Sequence, residues 1–403
     1  MTTSSLTQIL SGAAFDLDRH AHMFGPVPLG DDSVISTVSR SGLVGRGGAG
    51  FSAGAKMASI TGRRPVVIAN GSEGEPLSSK DAVLLSDSPH LVLDGLAIAA
   101  AAVGATDAFL VVSASHIERL HKAITERRQS GWDRTDVQVV ASAGSFVSGE
   151  KSALIAAVEG KPPIPRSSLT SLSKSGVKGR PTLVHNVETL AHVATIARFG
   201  VDWFRSSGTV SEPGTMLVTL SGTVNNPGVV EVPIGSRIDW VVGAIGRADM
   251  DNTRAVLVGG YHGTWLNRAD LAGRRLSKES LAAIGASPGA GVIHAIAVDT
   301  CGLRATADIV GYLARESAGQ CGPCLNGLPR LASVFGDLAY HRPGEQTLHE
   351  IHRYAGLVDG RGACHHPDGT ARLVRSALTA FADDVRLHRS GQCEATARLR
   401  RSR

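Results

Sequence analysis

Three short apolar runs, separated by helical stretches, constrain this fold most. Arg64-Pro-Val-Val-Ile-Ala-Asn70, Phe109-Leu-Val-Val-Ser113 and Val137-Gln-Val-Val140 are rich in β-branched residues. An apolar run of this kind reads as a strand covered on both faces, as in a parallel sheet. His90 to Ala105 and Ile117 to Arg128 read as the helices between them. The alternation predicts a doubly wound α/β domain. Another helix is expected around Ser152 to Val158, then a Pro/Ser/Lys-rich loop from Lys161 to Arg180. The first forty residues are expected to supply one or two surface helices.

From Gly214 the pattern changes. Thr215-Met-Leu-Val-Thr-Leu-Ser-Gly and Asn225-Asn-Pro-Gly-Val-Val-Glu-Val read as strand, turn, strand. A small β-rich domain closing near Thr300 follows from that. Ala305 to Glu316, Leu328 to Tyr340, Gln346 to Leu357 and Ala371 to Leu387 are four helix-like stretches. No internal repeat is present. With 47 glycines among 403 residues and 42% hydrophobic content, the chain implies glycine loops and small-residue packing rather than disorder.

Several function classes are excluded on this reading. A net charge of +5 is modest, and its obvious concentration is the tail Arg398-Leu-Arg-Arg-Ser-Arg403, read as a solvated terminus. No basic face interleaved with aromatics points to nucleic acid. Met1-Thr-Thr-Ser-Ser-Leu lacks the basic and apolar regions of a signal peptide. Gly95 to Ala105 is too short to span a bilayer. Five scattered cysteines do not form a disulfide framework, so a reducing cytoplasm is expected.

Two motifs carry chemistry. Gly45-Arg-Gly-Gly-Ala-Gly-Phe51 leads toward Lys56. Consecutive glycines let backbone N–H groups turn toward an anion, a following helix N-terminus adds its dipole, and Lys56 can meet a phosphate. The loop matches neither the Walker A nor the usual dinucleotide pattern, and a glycine run also serves tight turns. The second motif is Glu316-Ser-Ala-Gly-Gln-Cys-Gly-Pro-Cys324, answered by Cys364. Cys321, Cys324 and Cys364 fall between the first and second and between the third and fourth helical stretches. Thiolates at such spacing can converge on one metal or one iron–sulfur cluster, although free cysteines are often just small buried hydrophobes. Zinc would need His365 and His366 to join. Cys301 and Cys393 read as ordinary residues outside the motif.

These motifs agree on one family. The chain resembles the NADH-binding, FMN- and iron–sulfur-containing flavoprotein subunit of respiratory complex I, and matching subunits of NAD-reducing hydrogenases and formate dehydrogenases. Glu73-Gly-Glu-Pro76, Ser148-Gly-Glu150, Gly179-Arg-Pro-Thr182, Asn186-Val-Glu-Thr-Leu190 and Cys321-Gly-Pro-Cys324 occur in the family's order, with the glycine loop and Cys364, across roughly residues 40 to 385. The resemblance implies a Rossmann-like α/β flavin domain over 1–205 and a β-grasp-like, SLBB-type domain over 206–300. A four-helix bundle with the iron–sulfur motif follows over 301–390, then a basic tail over 391–403. It implies FMN contacts from Gly45, Arg46, Gly47, Gly48, Ala49, Gly50, Phe51, Lys56, Asn70, Gly149, Glu150, Lys151, Asn186 and Thr189. Glu73 and Glu75 are implied as catalytic residues near the flavin face. Cys321, Cys324 and Cys364 are implied as cluster ligands.

The departures concentrate away from the flavin. An acid becomes Ser72, a tyrosine becomes Phe146, a glutamate becomes Lys151, and an asparagine becomes His185. The family's Lys-Pro-Pro-Phe-Pro aligns with Ser168-Leu-Thr-Ser171-Leu172, so Ser171 replaces a stacking ring. Ala318 replaces the first cluster cysteine, which implies a [4Fe–4S] cluster with an atypical or missing fourth ligand, or a [3Fe–4S] cluster. The expected activity is electron transfer from NAD(P)H or another donor to a one-electron carrier. A ferredoxin-like or other iron–sulfur protein is the expected partner, and no transmembrane segment is expected. The expected location is cytoplasmic, including the cytoplasmic side of a membrane complex to which the chain would be peripheral. The alternatives are a cofactor-depleted interaction subunit and a flavoprotein reduced by ferredoxin without a dinucleotide.

Overall fold

A computed structural model describes residues 9–10, 15–29, 33–133, 135–167 and 171–395. The basic tail from Arg398 to Arg403, the start Met1 to Leu6, and Ser168 to Thr170 of the aligned proline segment lie outside the described residues. The chain divides into two units. Met1–Gly74, Ser78–Val218 and Val229–Gly235 form the first, and Glu75–Leu77, Thr219–Gly228 and Ser236–Arg403 the second.

The first unit opens with α1 (Leu17–Phe24), α2 (Val34–Ser41) and α3 (Ala53–Ala58). Then come β1 (Val66–Gly71), α4 (Lys80–Asp87), α5 (Pro89–Ala102), β2 (Asp107–Val112), α6 (Ile117–Ser130), β3 (Val137–Ala141), α7 (Lys151–Val158), β4 (Thr182–Asn186) and α8 (Val187–Arg205). The sheet is parallel with order β3-β2-β1-β4. Successive β1 side chains alternate between faces, as the strand period demands. Val67 and Ala69 join a core with Leu91, Leu96, Leu190 and Ala194 of α5 and α8. Val66 and Ile68 join a second core with Leu154 and Ile155 of α7. Each of the buried Val, Leu and Ile side chains contributes ~1.5–3 kcal/mol. The helices α5 and α8 approach so closely that a Cβ on Gly95 would lie 1.9 Å from the Leu190 carbonyl oxygen. No helix among the described residues is long and apolar enough to cross a membrane. The pair α4 and α5 would qualify together by length and composition, but it bends by 96°, and α5 is buried nearly throughout.

Strand β5 (Thr215–Gly222) runs from the first unit into the second, and β6 (Gly228–Pro233) returns to the first. In the second unit, β7 (Thr253–Val258), β8 (Thr264–Asn267) and β9 (Val292–Ala297) follow, with short helical turns between. Thr219–Gly222 of β5 pairs parallel with β9, and β7 pairs antiparallel with both β9 and β8. Helices α9 (Gly302–Arg315), α10 (Leu328–Ala339), α11 (Thr347–Val358), α12 (His366–Ala380) and α13 (Ala382–Arg389) complete it. The stretch read as one helix over Ala371 to Leu387 is two. Phe381 leaves helical geometry between them, and its ring covers Gly302, where a Cβ would lie 2.3 Å away. The ring also meets Trp265 at 5.4 Å.

Candidate functional site

The glycine loop is held from below and left open above. Its base is a hairpin-like turn: Gly45 N–H donates to the Phe51 carbonyl at 2.8 Å and Ala53 N–H to Leu43 at 2.9 Å. Gly48 and Gly50 adopt φ of 94° and 62°, a region that L side chains enter at a cost. Arg46 N–H donates to Thr189 Oγ1 at 2.9 Å, which ties the loop to the first turn of α8. A Cβ on Gly47 would lie 3.4 Å from Asn186 Cβ, at the carboxyl end of β4. Among the described residues, no protein acceptor meets the N–H groups of Gly47, Gly48, Ala49 and Gly50. Gly47, Gly48 and Ala49 are exposed. Donors left this way suit an anion. The expected helix dipole adds little, because α3 has six residues.

Lys56 extends from α3 to donate to the Val184 carbonyl. No carboxylate pairs with it among the described residues. Burial, reinforced by Lys151, pushes its pKa down to about 8. Beside it, burial and Lys56 push His185 down to about 3, so that ring is neutral. His185 Nε2 is buried with no hydrogen-bond partner among the described residues. An ammonium without a counter-ion, an orphaned imidazole nitrogen and four open amides fit a phosphate-bearing group.

The two asparagines link the strand ends. Asn70 donates to the Gly149 carbonyl at 3.1 Å and accepts from Ser72 N–H at 3.0 Å. Asn186 donates to Asn70 O at 3.2 Å and Asp81 Oδ2 at 2.7 Å, and it caps α8 through Glu188 N–H. Asn186 therefore leads into a buried ionic cluster. Lys80 Nζ lies 2.6 Å from Asp81 and 2.8 Å from Glu188. Burial opposes the Lys80 charge, but Asp81, Glu188 and Glu73 hold its pKa above the usual range. The Arg46 guanidinium belongs to the same cluster, 3.9 Å from Glu188, and donates to Thr215 and Val44 carbonyls. Its side chain is thus directed inward, and its backbone serves the loop.

The carboxylates singled out in the sequence have backbone partners. Glu73 accepts from Ser78 Oγ, Asp81 N–H and Ala82 N–H at 2.5, 3.2 and 3.1 Å, closing the first turn of α4. Burial, with Asp81 nearby, raises its pKa. Glu75, in the second unit, accepts from Leu77 N–H at 3.2 Å and Tyr261 N–H at 2.8 Å. Glu150 caps α7 through Ser152 and Ala153 N–H at 2.7 and 3.3 Å. Lys151, the next residue, is exposed with Nζ 5.9 Å from the Phe51 ring centroid, and that ring is itself 67% exposed. The lost acid at Ser72 is replaced by a hydroxyl cluster, with Ser142 Oγ at 2.5 Å and Ser148 Oγ at 3.4 Å. Ser171 is exposed and bonded to Ser173.

In the second unit the three cysteines come together. Cys321 and Cys324 sulfurs lie 3.6 Å apart. Burial, with the adjacent Cys321 and Cys364 sulfurs, pushes the Cys324 thiol up to about 11. Burial resists ionisation of Cys321 too, but N–H donation from Ala363 and Cys324 lowers its pKa. Gly319, next to Ala318, donates its N–H to Cys324, so the loop bearing Ala318 lies against the sulfurs. Three soft donors, Cys321 just before and Cys324 within the π-helical turn Pro323–Gly327 and Cys364 on the loop ahead of α12, fit an iron–sulfur cluster with one corner lacking a thiolate. The neighbouring histidines are committed elsewhere. His365 is 98% exposed and pairs with Asp368 at 2.8 Å. His366 uses one ring nitrogen on the Leu313 carbonyl at 2.8 Å and the other on His262 at 3.1 Å.

A site that sequence reasoning missed lies in the same unit. Cys301, His388 and Cys393, all buried, bring their ligand atoms within 4.8 Å of one another. No local spacing announces it, since Cys301 and His388 are 87 residues apart.

Residues 38–195 match the model of the Nuo51 FMN-binding domain, and residues 304–388 that of the NADH-ubiquinone oxidoreductase-F iron-sulfur binding region. The F subunit of the Mycobacterium tuberculosis NADH-quinone oxidoreductase is 32% identical over 379 residues, covering 89% of this chain and 85% of that protein. The HndC subunit of the NADP-reducing hydrogenase of Solidesulfovibrio fructosivorans is also 32% identical, over 88% of this chain and 76% of its own. Among solved structures, the NAD+-reducing [NiFe]-hydrogenase in the H2-reduced state superposes with a TM-score of 0.82 at 31% identity, over 89% of this chain. The chain spans 62% of that hydrogenase chain. It therefore belongs to the family of NADH-quinone oxidoreductase F subunits, as a flavin- and iron–sulfur-dependent electron-transfer protein.

Proposed function

We propose that this chain passes electrons from a nicotinamide dinucleotide to an iron–sulfur protein partner, through FMN on the first unit and a three-thiolate cluster on the second. One observation carries the reading: a glycine loop with open amides, beside a buried ammonium that no carboxylate neutralises among the described residues, shares a chain with the Cys321–Cys324 pair and the neighbouring Cys364. FMN, when bound, accepts hydride from a dinucleotide and releases electrons one at a time, which a cluster requires.

The chain's own residues hold and orient. The Gly47 to Gly50 amides and Lys56 hold the phosphate. Asn70, Gly149, Asn186 and Thr189 fix the walls around it, and Arg46 and Glu150 act through the backbone they anchor. Glu73 and Glu75 act as positioning residues, because both carboxylates are engaged by backbone N–H groups. Hydride transfer itself needs no acid or base. We assign the finer architecture accordingly: a Rossmann-like flavin domain, a β-grasp-like SLBB-type segment and a helical cluster-binding region.

Dinucleotide choice follows from two surface positions. The family's Lys-Pro-Pro-Phe-Pro is matched residue for residue by Lys161-Pro-Pro-Ile-Pro165 rather than by the segment ending at Leu172, so Ile164, 42% exposed, offers no ring for the adenine, and a stacking contact contributes ~1 kcal/mol. Lys151 places a cation where an acid would favour a ribose 2′-OH over a 2′-phosphate. NADPH is therefore expected to reduce the flavin better than NADH. Ile164→Phe should lower KM for either dinucleotide about fivefold, and Lys151→Glu should reverse the preference toward NADH. An anaerobic titration followed at the flavin visible bands tests the function. Bleaching by NADPH is expected. Flavin bands that neither dinucleotide bleaches, but reduced ferredoxin does, would replace the dinucleotide with a protein donor.

A further inference from the structure

We propose that Cys301, Cys393 and His388 form a second metal site, of the zinc class, separate from the iron–sulfur cysteines. Cys301 immediately precedes α9, His388 sits in the last turn of α13, and Cys393 follows it. All three are buried, at 9%, 0% and 6% exposure. Their ligand atoms lie within 4.8 Å of one another, and Cys301 Sγ is 3.5 Å from His388 Nε2. Zn–S and Zn–N bonds of about 2.3 and 2.0 Å at tetrahedral angles place sulfur and nitrogen about 3.5 Å apart.

The surroundings suit a metal. His388 Nδ1 faces the Leu338 carbonyl at 3.1 Å. That oxygen only accepts, so Nδ1 carries the proton and Nε2 keeps its lone pair for the sulfur side. Metal-bound histidines are oriented in this way. The Arg304 N–H donates to the Cys301 sulfur, which stabilises a thiolate. Two thiolates and a neutral imidazole leave a bound Zn2+ with no net charge, as a buried site prefers. In the metal-free chain, burial pushes the Cys301 thiol up to about 11, so binding must release thiol protons to solvent. The fourth corner falls to water, since no fourth ligand atom among the described residues lies within the same 4.8 Å. The His341 ring lies 4.1 Å from that of His388, tilted by 38°, and walls the site.

Such an ion would clamp the chain after α13 to the start of α9. The same region is already joined by Arg254, which reaches Asp384 at 2.6 Å and Glu394 at 3.0 Å. The site is independent of electron transfer in this reading.

The test is elemental analysis of the full chain, purified anaerobically and dialysed against excess Zn2+ and then buffer. About one zinc per chain is expected in the wild type and in Cys364→Ser, which removes a thiol of the other set. At least a tenfold loss is expected in Cys301→Ser and in Cys393→Ser. Should those variants fail to fold, Co2+ added to chelator-treated Cys364→Ser should give tetrahedral d–d bands with thiolate charge transfer. Zinc retained in Cys301→Ser, no zinc in the wild type, or a Cys301–Cys393 disulfide as the main species in non-reducing peptide mapping would overturn the assignment.

Discussion

Replacing Lys56 with methionine is expected to weaken FMN binding by about ten- to a hundredfold, the effect of losing a charge-assisted hydrogen bond of ~1.5–3 kcal/mol. The methionine keeps most of the stem and removes the charge. The pH dependence should change with it. In the FMN-free protein, Lys56 has a pKa of about 8, lowered by burial and then by Lys151 from an ordinary value of 10.5. A phosphate favours the ammonium, so the bound state holds the proton to higher pH. Wild-type affinity should thus fall above pH 8, by up to about tenfold per pH unit, one proton being lost per site. The Lys56→Met profile should be flat from this group. Stability of the FMN-free protein runs the other way. Between pH 8 and 10.5 the unfolded chain binds more protons at this lysine, so its contribution to stability rises with pH through that window. Below pH 8 the cost of the buried charge is fully present, and the FMN-free Lys56→Met variant should be the more stable protein. Fluorescence titration of FMN across pH, with thermal melts of the FMN-free proteins, checks both signs. Unchanged affinity in the variant would remove Lys56 from the phosphate site.

Ala318→Cys should convert a three-cornered site into a four-cornered one. Gly319 already touches Cys324 through its N–H, and Ala363 touches Cys321, so the loop needs little movement to add a sulfur. Wild-type protein reconstituted anaerobically should retain about three irons after brief air exposure, because one iron lacks a thiolate. The variant should retain about four and give the EPR signal of an ordinary reduced [4Fe–4S] centre. His365 and His366 do not rescue the wild type here, since one faces solvent beside Asp368 and the other spends both ring nitrogens. Equal iron content and identical spectra in the two proteins would mean that a fourth ligand already exists elsewhere.

Parts of this molecule are plain in the chain and parts are not. β1 to β3 are legible because a strand buried on both faces must be apolar throughout. β4 is not, because Thr182, His185 and Asn186 break the apolar run for the sake of the site at its end. The split at Phe381 is hidden because helical periodicity continues across it, and the break depends on packing against Gly302. The glycine loop is legible by residue type. The isolation of Lys56 is not, because its partner carbonyl at Val184 is 128 residues away. Glu73, Glu75 and Glu150 look like chemistry in the sequence, and only folding reveals the N–H groups they cap. Cys321 and Cys324 are found through local spacing and Cys364 through the family resemblance, whereas Cys301, His388 and Cys393 are brought together by the helices alone.

An anaerobic reductive titration of the reconstituted protein with dithionite, counting electrons per chain, tests the central claim most directly. Two electrons at the flavin and one at the cluster predict about three per chain, with flavin bleaching and a cluster EPR signal developing in the same titration. A chain that binds no flavin under reconstitution, or that takes up two electrons with no signal from iron, would contradict an electron path through both centres.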